Sequence, residues 1–363
     1  MKRTIYSLLI LFCCIFPSKA VSLSAQSAIL IEMESGRVLY EKNIDETSLI
    51  ASITKLMTAL VALESDILLE EMVAIPPEAC GVEGSSLYLT KDTEISLEGL
   101  LYGLMLHSGN DAAVAIAITC AGSEEAFVAQ MNEKAKELGM TNTLFANPHG
   151  LNADNHYSTA RDMATLAQAC LANETLSQIV ATKEIRVDNR YFSNKNKLLW
   201  QYEGCIGMKT GYTQLAGRTL VSASTKDGMT LICVTLDDPD DWLDHKNLFD
   251  YGFAHYEMKT LCDTETVLGT VPLSGSLSPF VTVTAQESLR YPVAEGEEIV
   301  AELVLPEEAV WAPVSKGEHA GGQLAWYLGD DLCGEMPCVY GESFHNIVTE
   351  KQSFFDQFKS FFQ

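Results

Sequence analysis

Apolar residues recur every three or four positions in several stretches of the first 258 residues, and this spacing predicts helices. Ser96, Ser123 and Thr159 stand just before such stretches, where a side-chain oxygen can cap the first turn. One pattern stops at 107–110 and resumes directly afterwards, which predicts a break between two helices. The predicted helices are 53–63, 97–106, 111–120, a segment that follows Ser123 and ends at Gly139, and 159–171.

Alternating apolar and polar residues predict strands in the same part of the chain. Segments 27–33 and 38–41 are separated by the turn-like residues 34–37. Segments 219–224 and 229–236 flank Asp227-Gly228, which is a strong hairpin signal. Helices mixed with hairpins predict a domain of the α/β (α+β) class over residues 24–258.

The pattern changes near residue 258, where helical periodicity disappears. Short apolar runs such as 281–284 and 299–305 follow, separated by Gly, Pro and Glu. These runs predict a small all-β domain over residues 259–345. A chain of 363 residues is long enough for two domains of this kind, since one domain usually takes about 150 residues.

The first twenty residues have the layout of a secretory signal peptide. Lys2 and Arg3 precede an apolar run over 5–16, and Ser18 and Ala20 suit a cleavage site after residue 20. The run is too short to span a bilayer comfortably, although an uncleaved anchor is the alternative. We therefore expect residues 1–20 to direct the protein across the cytoplasmic membrane.

The last residues, 346–363, differ from the β domain before them. On a helix their five Phe residues would form one apolar stripe, and an exposed stripe of this kind needs a cover. The alternatives are packing on the protein body and insertion into a membrane interface, and we expect the latter, with the protein peripheral on the outer face of the cell membrane. The stripe consists of Phe354, Phe355, Phe358, Phe361 and Phe362.

Charge and cysteine content narrow the range of functions. The net charge is -25, with 49 acidic residues against 24 Lys and Arg, so we expect no nucleic-acid partner. Eight of the ten cysteines lie beyond the signal segment, and Cys333 and Cys338 could close a short disulfide loop. No Cys/His spacing predicts a metal site, and we interpret His149 and His156 as loop-packing residues. We expect no metal and no cofactor.

The first candidate motif is Ser52-Ile53-Thr54-Lys55, at the start of a predicted helix. Residues three apart share one helix face, so Ser52 and Lys55 would point the same way. A serine hydroxyl needs a base, and a buried lysine near a second cation can lose its proton and serve as that base. Lys209 is a candidate for the second cation. The motif alone is common among ordinary helix starts.

Two further motifs have chemistry that suits the same site. Ser108-Gly109-Asn110 occupies the predicted break between helices, where Ser108 could relay a proton and Asn110 could contact a carbonyl or a lysine. Lys209-Thr210-Gly211 precedes the predicted hairpin. A cation with a hydroxyl suits a carboxylate, and Gly211 leaves room for a ligand backbone against the strand.

The three motifs in this order, within this pattern of elements, are a strong signal. The sequence resembles the serine penicillin-recognising enzymes and, among them, the low-molecular-mass D-Ala-D-Ala carboxypeptidases. The resemblance covers roughly residues 24–345. The strings that support it are 51–59, 107–111, 147–151, 156–162 and 207–213.

The resemblance implies a penicillin-binding/β-lactamase-like domain with an antiparallel sheet between helices, followed by a β-sandwich domain. It implies that Ser52 is acylated, that Lys55 accepts the proton, and that Ser108, with Asn110 nearby, assists transfer to the leaving D-Ala. It further implies substrate binding by Lys209, Thr210 and Gly211, and an oxyanion hole formed by the backbone N–H groups of Ser52 and Tyr212.

The function implied is removal of the terminal D-alanine from peptidoglycan stem pentapeptides, with β-lactams as covalent inhibitors. Some related enzymes place an arginine after Lys-Thr-Gly, but residues 237–242 contain none, so carboxylate binding falls to Lys209, Thr210 and a candidate third group, Arg218. Three alternatives stay open: a DD-endopeptidase, a serine β-lactamase, and a catalytically inactive cell-wall-binding module.

Overall fold

The computed structural model describes residues 21–346. The predicted signal segment, 1–20, and residues 347–363 of the predicted tail helix lie outside the described residues. The helices are α1 Lys55–Leu63, α2 Leu97–Tyr102, α3 Asn110–Ala121, α4 Glu124–Glu137, α5 Ala160–Ala172, α6 Glu174–Ala181, α7 Leu198–Gln201 and α8 Asp241–His255.

The strands with predicted bounds are present, with ends within two residues of the sequence pattern, whereas the other strands have no predicted bounds. Those of the first domain are β1 Ser27–Glu32, β2 Val38–Lys42, β3 Glu184–Val187, β4 Arg190–Ser193, β5 Cys205–Thr213, β6 Gly217–Lys226 and β7 Met229–Leu236. Those that follow are β8 Tyr256–Cys262, β9 Val267–Ser274, β10 Phe280–Ala285, β11 Leu289–Ala294, β12 Ile299–Val304, β13 Val310–Trp311, β14 His319–Leu328 and β15 Asp331–Tyr340.

The central sheet of the first domain is antiparallel, in the order β2-β1-β7-β6-β5. Successive residues of a strand face opposite sides, and β1 is buried on both. Ile29 and Ile31 pack into the core formed with α1, α3 and α5, whereas Leu30 packs against Phe249 of α8 on the other side. This layered arrangement confirms the predicted fold class, a sheet between helices.

The predicted helix starts are confirmed by their caps. The side-chain oxygens of Ser96, Ser123 and Thr159 accept hydrogen bonds from backbone N–H groups of the first turns, at 3.0–3.1 Å. The break before α3 is also present, because α2 ends in a π-helical turn, Gly103–His107, and Ser108 follows with a left-handed backbone. The predicted 53–63 helix is a 3-10 turn, Ala51–Thr54, that continues as α1.

The β domain contains a six-stranded sheet in the order β12-β14-β15-β10-β9-β13 and the two-stranded pair β11-β8. Its core includes Val281, Val283 and Trp326. The predicted all-β character is therefore confirmed.

The suggested disulfide between Cys333 and Cys338 is wrong. Both residues lie on β15, five positions apart, which separates their Cα atoms by about 16 Å in an extended strand. A disulfide needs Cα atoms within about 7 Å. The eight cysteines of the described part of the chain are all free thiols.

Arg37, in the turn between β1 and β2, joins the two domains. Its Nη1 atom donates to the carbonyl oxygen of Pro292 at 2.6 Å, and its guanidinium pairs with both carboxylate oxygens of Glu297. The guanidinium also lies between the rings of Tyr256 and Tyr291, 5.2 and 5.4 Å from their centroids. Burial of charge, hydrogen bonds and ring contacts thus converge on one side chain at the junction.

Between residues 21 and 346, no single helix combines the length and apolar composition needed to cross a membrane; α3 and α4 pass together, with an 87° bend between them.

Candidate active site

Ser52 and Lys55 meet at the start of α1, as the three-residue spacing predicts. Ser52 lies in the 3-10 turn Ala51–Thr54, and the Nζ atom of Lys55 donates to its Oγ atom at 2.9 Å. Lys55 is fully buried, at 0% exposure. A primary amine in this position can exchange a proton with the hydroxyl directly.

The other partners of the Lys55 amine are neutral oxygens. Nζ donates to Oδ1 of Asn110 at 2.7 Å and to the carbonyl oxygen of His149 at 2.5 Å. The amide nitrogen of Asn110 donates to the carbonyl oxygen of Glu83 at 2.6 Å, which orients the amide with its oxygen toward the lysine. Asn110 is therefore a hydrogen-bond partner of Lys55. The sequence analysis allowed it either this contact or one with a carbonyl group.

Burial lowers the pKa of Lys55 well below its usual value, and the positive charges of Lys209 and Lys195 lower it further. Asp111 acts in the opposite direction but does not cancel the effect. Among the described residues no carboxylate pairs with the amine, and the lowered pKa favours the deprotonated form of Lys55 that the sequence argument requires.

Ser108 reaches the cavity through the break between α2 and α3. Its backbone is left-handed, with φ of +68°, a conformation that strains a residue with a side chain and is common at functional sites. The next residue but one, Asn110, fixes the neighbouring loop, since its N–H donates to the carbonyl oxygen of Ser85 at 2.7 Å. Ser108 and Ser85 thereby line the same cavity.

The carboxylate of Asp111 holds the loop that contains Ser85 in place. Its buried carboxylate accepts hydrogen bonds from the N–H groups of Leu87 and Leu89 and from the hydroxyl of Ser86, at 2.7–3.1 Å. Sequence reasoning included Asp111 only as part of the string 107–111. Its contacts assign it a positioning role for the wall that contains Ser85.

Lys209, Thr210 and Gly211 lie within β5, as predicted. Lys209 is buried, its Nζ atom donates to the carbonyl oxygen of Thr210 at 2.9 Å, and its pKa is lowered to about 7 by burial and then by Lys195. A buried ammonium with a single hydrogen-bond partner is suited to an incoming anion.

Gly211 lines the cavity and also has a packing role that the sequence did not show. A Cβ atom there would lie 2.3 Å from Oγ1 of Thr219 and 3.0 Å from the backbone nitrogen of Ser52. On the side where a Cβ atom would lie, the space beside this glycine is therefore filled by the protein itself. The absence of a side chain lets β5 approach the Ser52 turn, which brings the Lys-Thr-Gly strand and the nucleophile together.

The motifs converge on one open cavity of about 500 Å³. Lys55, Asn110 and Lys209 lie buried behind its wall. Sequence reasoning missed Ser85, Asn194, Lys195, Lys197 and Trp242, for which the only signal was the alternating Asn-Lys-Asn-Lys of 194–197. The lining residues are Ser52, Ser85, Ser108, Asn194, Lys195, Lys197, Thr210, Gly211, Tyr212, Arg218 and Trp242.

Arg218 also reaches the cavity, but it is not a free cation. Its Nη2 atom donates to both carboxylate oxygens of Asp241 at 2.8 Å, and its guanidinium lies 5.5 Å from the ring centroid of Trp242. Asp241 belongs to the acidic segment 237–242, where some related enzymes place an arginine and this sequence has none. The pair fixes the guanidinium at the cavity wall and neutralises part of its charge.

The two histidines have structural partners, in keeping with their interpretation as loop-packing residues. Nδ1 of His156 accepts a hydrogen bond from the N–H of Ala146 at 3.0 Å, so Nε2 carries the proton and donates to Oγ1 of Thr54 at 2.8 Å. Thr54 in turn donates to the carbonyl oxygen of Ala51, which braces the Ser52 turn. Burial lowers the pKa of His156 to about 4 and that of His149 to about 3, so both are neutral.

Comparison with known proteins agrees with this geometry. Residues 16–240 match the family model of D-alanyl-D-alanine carboxypeptidases, peptidase S11, and residues 256–346 match the C-terminal domain model of penicillin-binding protein 5. The D-alanyl-D-alanine carboxypeptidase DacF of Bacillus subtilis (strain 168) is 34% identical over 332 residues, which cover 88% of this chain and 85% of that protein.

Two further relatives extend the match. The D-alanyl-D-alanine carboxypeptidase DacC of Escherichia coli (strain K12) is 35% identical over 342 residues, 90% of this chain and 85% of that protein. The crystal structure of penicillin-binding protein 5 from Haemophilus influenzae superimposes with a TM-score of 0.77 at 29% identity, over 89% of this chain and 98% of that chain. The resemblance seen in the sequence is therefore confirmed, and the chain belongs to the peptidase S11 family of serine D-alanyl-D-alanine carboxypeptidases.

Proposed function

We propose that this carboxypeptidase removes the terminal D-alanine of peptidoglycan stem pentapeptides through an acyl-enzyme on Ser52. The observation that carries the proposal is the 2.9 Å contact between Ser52 Oγ and a Lys55 amine whose hydrogen-bond partners are neutral. The deprotonated amine accepts the hydroxyl proton while Oγ bonds to the peptide carbonyl carbon. The C–N bond then breaks, D-alanine leaves with a proton on its nitrogen, and water hydrolyses the ester.

The leaving amine needs a proton, and Ser108 is our candidate relay. It lines the cavity together with Ser52, and Asn110, two residues further on, holds the Lys55 amine at 2.7 Å. A hydroxyl can accept from the lysine and donate to the departing nitrogen in one movement.

Lys209 and Thr210 are the candidate carboxylate site, with Arg218 at the rim. A substrate carboxylate would give the buried Lys209 ammonium the anionic partner it lacks, and would raise its pKa from about 7. Arg218, already paired with Asp241, contributes a smaller share. The recognition proposed here selects a free C-terminus.

The backbone N–H groups of Ser52 and Tyr212 are the candidate oxyanion hole. The close approach of Gly211 to the nitrogen of Ser52 places β5 beside the start of α1 and supports this assignment. Fixed donors of this kind stabilise the transition state by roughly 3–4 kcal/mol each.

The test is product analysis with a D-Ala-D-Ala pentapeptide, combined with labelling by radioactive penicillin. Release of one D-alanine together with stable labelling supports the proposal. Rapid turnover of penicillin would identify a β-lactamase, and absence of both reactions would identify an inactive binding module. Preferential cleavage of a cross-linked muropeptide dimer would identify an endopeptidase.

We further propose that residues 1–20 export the protein and that residues 346–363 hold it on the outer face of the cytoplasmic membrane as an interfacial helix. Support comes from the sequence: five Phe residues on one helical stripe, with Glu350 and Asp356 balanced by Lys351 and Lys359. Binding should then depend on apolar burial and be insensitive to salt.

The test is co-sedimentation of the mature protein with liposomes, with and without residues 350–363. Truncation should abolish binding, and high salt should leave the binding of the intact protein unchanged. Unchanged binding after truncation, or release of the intact protein by salt, would contradict the anchor.

A further inference from the structure

Three chain segments meet at one end of the β domain, and we call this the exit end: residues 274–280, 310–314 and 343–346. Trp311 of β13 is opposite Ser274 of β9, and the N–H of Ala312 donates to the carbonyl oxygen of Ser274 at 2.8 Å. Val314 and Phe344 exchange two backbone hydrogen bonds at 2.9 and 3.0 Å. Asn346, the last described residue, donates to the carbonyl oxygen of Ala312 at 3.1 Å. The chain therefore continues toward residue 363 from this end.

The exit end displays large apolar side chains to solvent. Leu277, in the turn between β9 and β10, is 90% exposed, and Trp311 is 70% exposed. The ring of Trp311 lies over Gly275, where a Cβ atom would come within 3.3 Å of it. Phe280 adds a third half-exposed apolar side chain at the start of β10. Several large apolar side chains exposed at one end of a domain indicate a partner surface.

The exit end is also uncharged, in a chain of net charge -25. None of the three segments contains Asp, Glu, Lys or Arg. Glu342, which adjoins the third segment, is bound to the backbone and hydroxyl of Thr282. An anionic protein can bring such a surface to a lipid bilayer without moving a fixed charge into the headgroup region.

A second exposed apolar strip on the same domain provides the contrast. Val300 and Val304 of β12 are 56% and 68% exposed. However, Glu302 lies between them, and Glu297 and Glu298 directly precede the strand, whereas Glu307 and Glu308 lie in the segment between this strand and the exit end. Carboxylates at this density would be repelled by an anionic leaflet. Both surfaces expose apolar residues, and they differ in the charges within them.

We propose that the exit end is a lipid-contact surface, in which Trp311 and Leu277 enter the bilayer interface beside the tail. Tryptophan favours the interface because its ring is apolar while its N–H reaches polar headgroups. Two or three side chains bind weakly alone, but the tail raises their local concentration at the membrane, which makes their contribution additive. This inference rests on the proposed tail anchor, but the experiments below distinguish a failure of the inference from a failure of the anchor.

The first experiment measures quenching of tryptophan fluorescence by phosphatidylcholine vesicles that carry brominated acyl chains. It uses the chain 21–363, its Trp311→Phe variant, and a matched control, Trp200→Phe, whose ring is 47% exposed on the catalytic domain. Quenching should be lost in Trp311→Phe and retained in Trp200→Phe. If the protein binds vesicles while Trp311 is not quenched, this inference fails and the anchor stands. If the full chain does not bind vesicles, both fail.

The second experiment compares vesicle affinities of two double variants. Leu277→Ser with Trp311→Ser should weaken binding about tenfold, as expected for two partly buried apolar side chains. Val300→Ser with Val304→Ser should leave affinity unchanged. Both variants should retain wild-type hydrolysis of a soluble pentapeptide, which shows that they are folded. Equal affinities for the two variants would overturn the proposal. So would a lipid-free dimer, seen by light scattering, that only the first variant abolishes, because a second copy would then cover the exit end.

Discussion

Two groups of like-charged residues occur in the catalytic domain, and they differ in what surrounds them. The lysine cluster, Lys55, Lys195 and Lys209, lies at an open cavity; Lys55 and Lys209 are buried, Lys195 is exposed, and their hydrogen-bond partners are neutral oxygens. The aspartate cluster, Asp238 and Asp244, lies beside α8, where its carboxylates accept hydrogen bonds from the N-terminal segment. Burial lowers the pKa of Lys209 to about 7 and raises that of Asp238 to about 6.

The difference shows that a displaced pKa identifies burial, not chemistry. Asp244 accepts from the N–H groups of Ser24 and Ala25 at 2.6 and 3.1 Å, and Asp238 accepts from the hydroxyl of Ser24 at 2.7 Å. These contacts fasten the start of the described chain to α8 and to the turn before it, so the carboxylates hold protein groups. The lysine cluster has both a nucleophile within 2.9 Å and an open space in front of it.

The largest effect is expected at the nucleophile. Ser52→Ala removes the hydroxyl that accepts a hydrogen bond from the Lys55 amine and would form the acyl-enzyme, so penicillin labelling should disappear and peptidase activity should fall by roughly four or more orders of magnitude. Mass spectrometry of penicillin-treated protein measures the labelling. Ser65→Ala, whose hydroxyl caps a carbonyl at the end of α1, is the control and should label normally. Stoichiometric labelling of Ser52→Ala would refute the assignment.

The next effect tests whether the lysine cluster owes its reactivity to deprotonation. Lys55→Arg keeps a positive charge but cannot lose its proton near neutral pH, so acylation should slow by about a thousandfold or more. Acylation rates measured from pH 6 to pH 10 provide the check. At saturating substrate, where loss of the Lys209 charge does not limit binding, the wild-type rate should rise with pH as the amine deprotonates, and the variant should lack this rise. An acylation rate near that of the wild type in the variant would show that another group is the base.

A smaller effect is expected at the carboxylate site. Amidation of the substrate C-terminus should lower kcat/KM of the wild type by about 10–100-fold, the size of a charge-assisted hydrogen bond, and should have much less effect in Lys209→Gln. The pKa of Lys209 near 7 adds a pH signature, because its positive charge is lost as pH rises through that value. The kcat/KM of the acidic substrate should fall over that range relative to the kcat/KM of the amidated substrate. Equal losses on amidation in both proteins would exclude this role.

The smallest effect concerns stability and belongs to the aspartate cluster. The folded-state pKa of Asp238 lies above its unfolded value, so the folded state holds the proton more tightly, and this stabilisation is lost as pH rises through about 6. Between pH 5 and pH 7.5 the wild type should lose about 1 kcal/mol of unfolding free energy relative to Asp238→Asn, a figure reduced for partial solvent screening. Urea titrations at the two pH values measure it. Parallel pH profiles of the unfolding free energy in the two proteins would show that folding does not raise the pKa of Asp238.

Local signals in the sequence predicted much of the catalytic domain. Capping residues act within one turn, and the hairpin at Asp227-Gly228 involves neighbouring residues, so both can be recognised without knowledge of the fold. The catalytic motifs were recognisable because each is short, although their meeting depends on residues as far apart as 52 and 211.

The misses have a common physical cause. Helix α8 was not predicted because its buried face includes Asp241, Asp244 and His245, which inverts the pattern expected of a packed helix. Lys195 was missed because only the fold brings it beside Ser85, with its Nζ atom 3.2 Å from the serine hydroxyl. Arg218 was foreseen near the carboxylate, but its pairing with Asp241 depends on a contact between a strand and a helix that no local pattern predicts.

The Arg37 junction bears on the distance between the active site and a membrane surface. One guanidinium, in contact with Glu297, Tyr256 and Tyr291, connects the domain that contains the nucleophile to the domain whose exit end includes Trp311. If the exit end rests on a bilayer, this junction would set how far above the lipid a stem peptide can be trimmed. Arg37→Ala would then leave the chemistry on soluble peptides intact and widen the layer of cell wall within reach of the enzyme.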